Sequence, residues 1–233
     1  MPETIAQFQL VEPMGHSLLG DLHRARELDL GRTVTVCLIG AAFTADPRTL
    51  ESVLSAARRV SALSHPAVAA VYGSGEDGGR AFIASEFVAG QRLSAMVSGS
   101  ALNRRRALDL AVQIADGLAA AHALGLTHAA VGSDRIMVTP KGAAKVLDVG
   151  MFDWTSAEGQ ERRDDRVGLG AVLFEMLVGR PLRVGWPAEL RLAEIPAEAQ
   201  PVLHALTSSR AGEQYESMAT AAAALRDLAV SLP

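Results

Sequence analysis

The hydrophobic pattern of this 233-residue chain changes period near Gly90. Before that point apolar residues come in short alternating runs; after it they recur at helical spacing. Such a chain must bury a sheet first and a set of helices second, which is an α+β plan. Residues 7–13, 21–25, 33–39, 68–72 and 81–87 read as strands, the third rich in β-branched residues (TVTVCLI). Residues 14–20 read as a loop, and Gly73 to Gly79 as the turn joining the last two strands. One helix interrupts the strands. Asp46 supplies a side-chain acceptor at its start and Pro47 a preset first turn. Leu50, Val53, Leu54, Ala57 and Val60 then share one face, up to about Leu63.

Beyond Gly90 the pattern predicts a long helix over 106–124, with Leu108, Ala111, Ile114, Leu118 and Ala121 as its buried stripe. Short strands follow at 136–139 and 144–147. Residues 166–177 are apolar on nearly every side, as in a helix at the centre of a lobe. Gly179-Arg180-Pro181 stops it. Helices near 188–193, 197–207 and 216–231 complete the reading. The chain divides into a β-rich lobe, residues 1–90, and a helical lobe, residues 91–233.

Charge and composition exclude several classes. A net charge of -4 gives no global basic field for nucleic acid or anionic membrane. No apolar stretch reaches the ~18 residues a membrane span needs, and the opening residues do not read as a leader. The single cysteine, Cys37, permits no internal disulfide, so a cytoplasmic setting is expected, with any membrane tether lying outside this chain. Gly73-Ser74-Gly75-Glu76-Asp77-Gly78 fits a dinucleotide-binding pattern, but a strand follows where that mechanism needs a helix. The histidines lack metal-ligand spacing; His122 and His128 are six apart.

A series of short motifs, in order and spacing, resembles a bacterial Ser/Thr protein kinase of the eukaryotic-like family. Gly15 to Gly20 matches the glycine-rich loop, and Val34-Thr35-Val36-Cys37 the strand that carries the nucleotide lysine. Leu63-Ser64-His65-Pro66 matches the turn after the regulatory helix. Phe82 to Val88 matches the strand into the hinge, with Ser85 as gatekeeper. Gly125-Leu126-Thr127-His128 enters the catalytic loop. Asp148-Val149-Gly150 matches the metal-binding motif. Asp165, Leu169-Gly170 and Gly179-Arg180-Pro181 match the central helix of the large lobe. The resemblance implies a bilobal kinase-like fold, with one main helix in the first lobe.

The same resemblance implies that the chemistry is gone. Cys37 stands where the phosphate-binding lysine belongs, and no lysine precedes Lys141. Arg24 and Arg32 are the only substitutes worth weighing, and both read as strand-edge or turn residues. Ala56, nine residues before His65, replaces the glutamate that orients the lysine. Ala130 replaces the catalytic aspartate. Arg135 replaces the metal-binding asparagine, so a cation stands where Mg²⁺ would bind. Asp134, next to it, reads as a solvated loop residue. Asp148 alone survives and could hold a cation. Ser17 replaces the middle glycine of the loop, Leu18 and Leu19 make its tip apolar, and Thr35 crowds the adenine position. Asp148 to Asp165 spans only 17 residues, a shortened activation segment without its Ala-Pro-Glu motif. Gln214 lies near the position of that motif's arginine partner. Asp165 is expected to cap backbone amides of the catalytic loop.

The expectation is therefore a pseudokinase: not an enzyme, with no catalytic residues, no cofactor and no metal. It would act as a signalling scaffold for an active kinase, a phosphothreonine-reading domain or another signalling protein. Thr155 and Ser156 are candidate phosphorylation sites in the shortened segment. The alternative is a regulatory switch that binds a nucleotide or small molecule without phosphotransfer, through Gly15, Gly20 and Asp148; weak ATP–Mg²⁺ binding stays open on that account. An atypical enzyme with relocated catalytic groups is the third reading.

Overall fold

The computed structural model describes residues 3–151, 164–182, 194–208, 210 and 212–231. The chain forms two compact units. The first comprises Met1–Ser64 and Ala69–Val88, the second His65–Val68 and Ala89–Pro233.

The first unit is built on a six-stranded antiparallel sheet. Its strands are β1 (Thr4–Ile5), β2 (Phe8–His16), β3 (Gly20–Glu27), β4 (Thr33–Ile39), β5 (Val71–Asp77) and β6 (Arg80–Glu86), in the spatial order β1-β2-β3-β4-β6-β5. Alternation along these strands sends Ile5, Phe8, Leu10, Ala25, Val34, Val36, Phe82 and Ala84 into one core. Phe8 and Phe82 meet there edge to face, centroids 5.7 Å apart. A single turn, α1 (Ala41–Thr44), leads into α2 (Pro47–Val60). The Asp46 side chain accepts hydrogen bonds from the amides of Arg48 and Thr49, satisfying two donors that the first turn cannot pair. Val53, Leu54, Ala56, Ala57 and Val60 are the buried face of α2, which packs beside β5.

Two boundaries differ from the sequence reading. The loop expected over 14–20 shrinks to three residues, because bulges between Leu10 and Glu12 and between Pro13 and Gly15 keep β2 paired with β3 as far as His16. Likewise, Gly73 to Asp77 is strand, in register with Ala84 to Arg80. Only Gly78 and Gly79 turn, both in the left-handed region at φ 56° and 78°. A two-residue hairpin needs that pair of dihedrals, and glycine supplies them without strain. Val68, expected in a strand of the first unit, belongs to the second. It bridges Val146, and the Val146 amide donates to the Ala67 carbonyl. Gly117 admits this segment, since a Cβ there would come within 3.1 Å of the Val68 side chain.

The second unit begins with β7 (Gln91–Arg92) and α3 (Leu93–Met96), then α4 (Arg104–Ala123), capped by Asn103. A 3₁₀ turn, Ser133–Arg135, leads into β8 (Ile136–Val138) and β9 (Ala144–Val146), which form a small sheet with β7. The remaining helices are α5 (Asp165–Val178), α6 (Gln200–Thr207) and α7 (Met218–Ser231). Helix α4 packs against α5 and α7, and α5 against α6. Leu108, Ala111, Ile114, Leu118 and Ala121 are all fully buried, as their spacing predicts. Gly179 ends α5 in the left-handed conformation. The elements β1, β7, α1 and α3 are too short to leave a periodic signal. The helix expected near 188–193, and Thr155 and Ser156, lie outside the described residues. Among those described, no helix is long and apolar enough to cross a membrane.

Leu118 is fully buried on α4. Leu118→Ala should lower unfolding free energy by about 2–5 kcal/mol, read from urea denaturation, because the packed helices cannot collapse into the void.

Candidate functional site

The residues that the sequence singles out fall in two places, one in each unit. In the second, the organising group is the Asp165 carboxylate. It stands at the first turn of α5, and Asp164 caps that helix by accepting from the Arg166 amide. Asp165 is buried and accepts from the amides of His128 and Ala129, each at 2.8 Å, and contacts His122 Nε2 at 2.8 Å. The expected cap is therefore present, and it includes a partner that sequence reasoning missed. His122 lies on α4, and only its helical register could have pointed to it. Burial alone would raise the Asp165 carboxyl. The hydrogen bonds from His122, His128 and Ala129 outweigh it and hold the group below the usual carboxylate range.

These bonds fix an unusual backbone. Ala129 sits at φ 61° and Asp148 at φ 57°, left-handed values that cost a non-glycine residue free energy unless the surroundings impose them. The Leu147 amide donates to the Arg135 carbonyl and the Gly150 amide to the Thr127 carbonyl, which ties the Asp148 turn to the loop. His128 is fully buried, and that burial pushes its imidazole down, so it is neutral at pH 7. Its Nδ1 accepts from the Ala130 amide at 3.3 Å.

Within this frame lie the loop positions that the resemblance assigns to catalysis. Ala130 has only a methyl group. The Arg135 guanidinium folds back and donates through Nη1 to the Ala130 carbonyl at 2.8 Å. A guanidinium thus reaches back from residue 135 to the main chain of residue 130. Asp134 is exposed, and its carbonyl accepts from Arg92. Asp148 is exposed, yet the protein atoms crowded around its carboxyl desolvate it and raise it; the Arg135 and Arg92 guanidinium groups pull it down less strongly. Among the described residues no group of His, Cys, Asp or Glu is arranged to hold a metal ion.

In the first unit the glycine loop closes on itself. The Ser17 hydroxyl accepts from the amides of Leu19 and Gly20, and its oxygen lies 3.5 Å from Cys37 Sγ. Gly20 is indispensable to the hairpin, since a Cβ there would lie 1.9 Å from the Leu38 carbonyl oxygen. Gly15 has φ 109° and open space around it. The two leucines part company: Leu18 is exposed and Leu19 is buried. Cys37 and Ala56 are both buried as small apolar residues. Arg24 pairs with Glu12 at 2.9 Å, while Arg32 pairs with Glu27 and stacks on Tyr72 at 3.5 Å. Arg24, on β3, is thus engaged with β2, and Arg32, just before β4, with β3 and β5. Gln214 donates to the Ser208 carbonyl.

A family model described as protein tyrosine and serine/threonine kinase matches residues 8–170. The chain belongs to the protein kinase family. Its relatives include the Ser/Thr-protein kinase PknA of Mycobacterium tuberculosis, 34% identical over 139 residues, which cover 57% of this chain and 32% of that protein. Ser/Thr-protein kinase PknB of Mycolicibacterium smegmatis is 28% identical over 209 residues, 77% of this chain and 33% of PknB. The chain therefore spans about a third of the length of these curated relatives. The crystal structure of the Mycobacterium tuberculosis PknI kinase domain superposes with a TM-score of 0.82, at 18% identity, covering 97% of this chain and 98% of that one. The bilobal α+β kinase fold read from the sequence is borne out.

Two opposite pH responses follow. The lowered Asp165 carboxyl contributes stability that is full above its unfolded value near 3.8 and lost as pH falls through its lower folded value. Asp165→Asn should therefore destabilise the chain at pH 7, by about 1–3 kcal/mol, with the difference shrinking in strong acid. The raised Asp148 carboxyl works the other way: its ionisation destabilises the fold as pH rises from 3.8 through the folded value. Asp148→Asn should raise the melting temperature at pH 7 and have little effect below about pH 4. Thermal denaturation across pH reads both.

Proposed function

We propose that this chain is a pseudokinase domain that works by binding a protein partner. The observation that carries this reading is the contact between Arg135 Nη1 and the Ala130 carbonyl. On this reading Arg135, at the position of the metal-binding asparagine, spends its guanidinium on the main chain at the position of the catalytic aspartate, and phosphoryl transfer needs an amide and a carboxylate there. A lost base costs about 10²–10⁴ in rate. A lost charge-stabilising donor costs about 10²–10³. With Cys37, Ala56, Ala130 and Arg135 all at catalytic positions, the combined loss leaves negligible transfer, even allowing for non-additivity. The supporting frame meanwhile remains: Asp165 still holds the loop amides. A kinase framework kept without its chemistry fits a signalling scaffold. Its partner would be an active kinase, a phosphothreonine-reading domain or another signalling protein; this step rests on analogy of fold. No cofactor is required.

A second reading, a nucleotide-responsive switch without turnover, draws support from Asp148. A carboxyl carried on left-handed backbone, which costs a non-glycine residue free energy, is a feature that a use would explain.

The purified chain, given ATP with Mg²⁺ or Mn²⁺ and a basic protein substrate, should incorporate no phosphate. Phosphate transfer by the wild type that disappears in Asp148→Asn would sink the pseudokinase reading. In the same preparation, nucleotide and Mg²⁺ should leave the melting temperature unchanged; a saturable rise that needs Asp148 would favour the switch.

A further inference from the structure

The second unit contains a cavity of about 500 Å³ that the kinase reading leaves without a role. Its size is that of a small-ligand or side-chain site. The first turns of α5 and α7 both open into it, through Asp164, Asp165 and Arg166 on one side and Glu216, Ser217 and Met218 on the other. Two helix N-termini would ordinarily favour an anion. Here that preference is already answered from within. The Asp164 carboxylate accepts from the Arg166 amide at 2.8 Å, and the Ser217 hydroxyl accepts from the Thr220 amide at 3.1 Å. Among the described residues of the wall the one guanidinium is also committed: Arg166 Nε lies 2.9 Å from Asp164, and its Nη1 donates to the Tyr215 carbonyl.

What remains is negative. Asp165 is held by His122 and by backbone amides, whereas Glu216 is exposed and has no ion-pair partner among the described residues. The side chain of Met218, almost wholly buried, and the methyl group of Ala129 give the cavity an apolar lining. An apolar lining beside an unpaired carboxylate suits a long aliphatic stem with a cationic head. Inorganic phosphate and other anions are disfavoured by the same carboxylates.

We propose that this cavity receives an arginine or lysine side chain of a partner polypeptide, with Glu216 as the counter-charge. The proposal rests on the binding-module reading and names the chemistry of its partner.

Methyl NMR on protein labelled at its methionines tests it, with the Met218 signal assigned through Met218→Leu. The probes are a blocked alanine pentapeptide with a central arginine, the same peptide with glutamine, and spermidine. The expected result is a saturable shift of the Met218 methyl with the arginine peptide and none with the glutamine peptide. Glu216→Gln, an exposed and fold-neutral change, should weaken binding about fivefold. An equal response to the glutamine peptide, an unmoved Met218 signal, or unaltered affinity in Glu216→Gln overturns the proposal. Spermidine binding more tightly than the arginine peptide assigns the cavity to a free polyamine and also overturns it. None of these outcomes depends on phosphate transfer. The pseudokinase reading therefore stands or falls separately.

Discussion

The Asp165 carboxylate is the fixed point of the second unit. One buried charge at the start of α5 holds two amides of the loop that follows α4, and a histidine of α4 itself. Without that anchor nothing would oblige Ala129 to take a left-handed conformation. The shape of the loop, the location of Arg135 over it and the turn at Asp148 all follow from this attachment. Its strength comes from making the carboxylate an acceptor several times over, which offsets the cost of burial.

On the proposed pseudokinase reading, anchoring and reactivity have come apart in this molecule. The groups that shape the loop are backbone amides, a carboxylate and an imidazole, and they serve any sequence that needs the loop's geometry. On that reading the groups that would react are side chains, and methyl, thiol and guanidinium stand in their places. The replacements are mutually consistent. Ala56 and Cys37 are both small and buried, so neither leaves an unpaired charge behind. Arg135 finds a carbonyl acceptor, where an aspartate at 130 would have supplied a carboxylate.

Most of this was readable from the sequence because it depends on period, caps and motif order. The stripe of α4, the Asp46 cap and the Gly179 stop each have a local signature, while the role of Asp165 came from the resemblance to kinase motifs. The errors arose where a local signature misleads. Glycines over 73–77 suggested a turn, yet pairing with β6 keeps that segment extended, and only consecutive positive φ angles make the turn. Val68 reads as strand in isolation, but its partner is Val146, far along the chain. His122 gave no signal because its role comes from contact with a residue 43 positions away. The cavity between α5 and α7 was invisible for the same reason: its walls meet only in three dimensions.

The isolation of Cys37 has a practical side. It is the chain's sole thiol, it is 7% exposed, and it lies on a central strand against Ser17. A cysteine introduced at an outward position such as Val230, which is 85% exposed, would be modified by bulky reagents far sooner than the native one. Spectroscopic labels can therefore be placed one at a time on the natural chain, without first removing a cysteine that the sheet has packed into place.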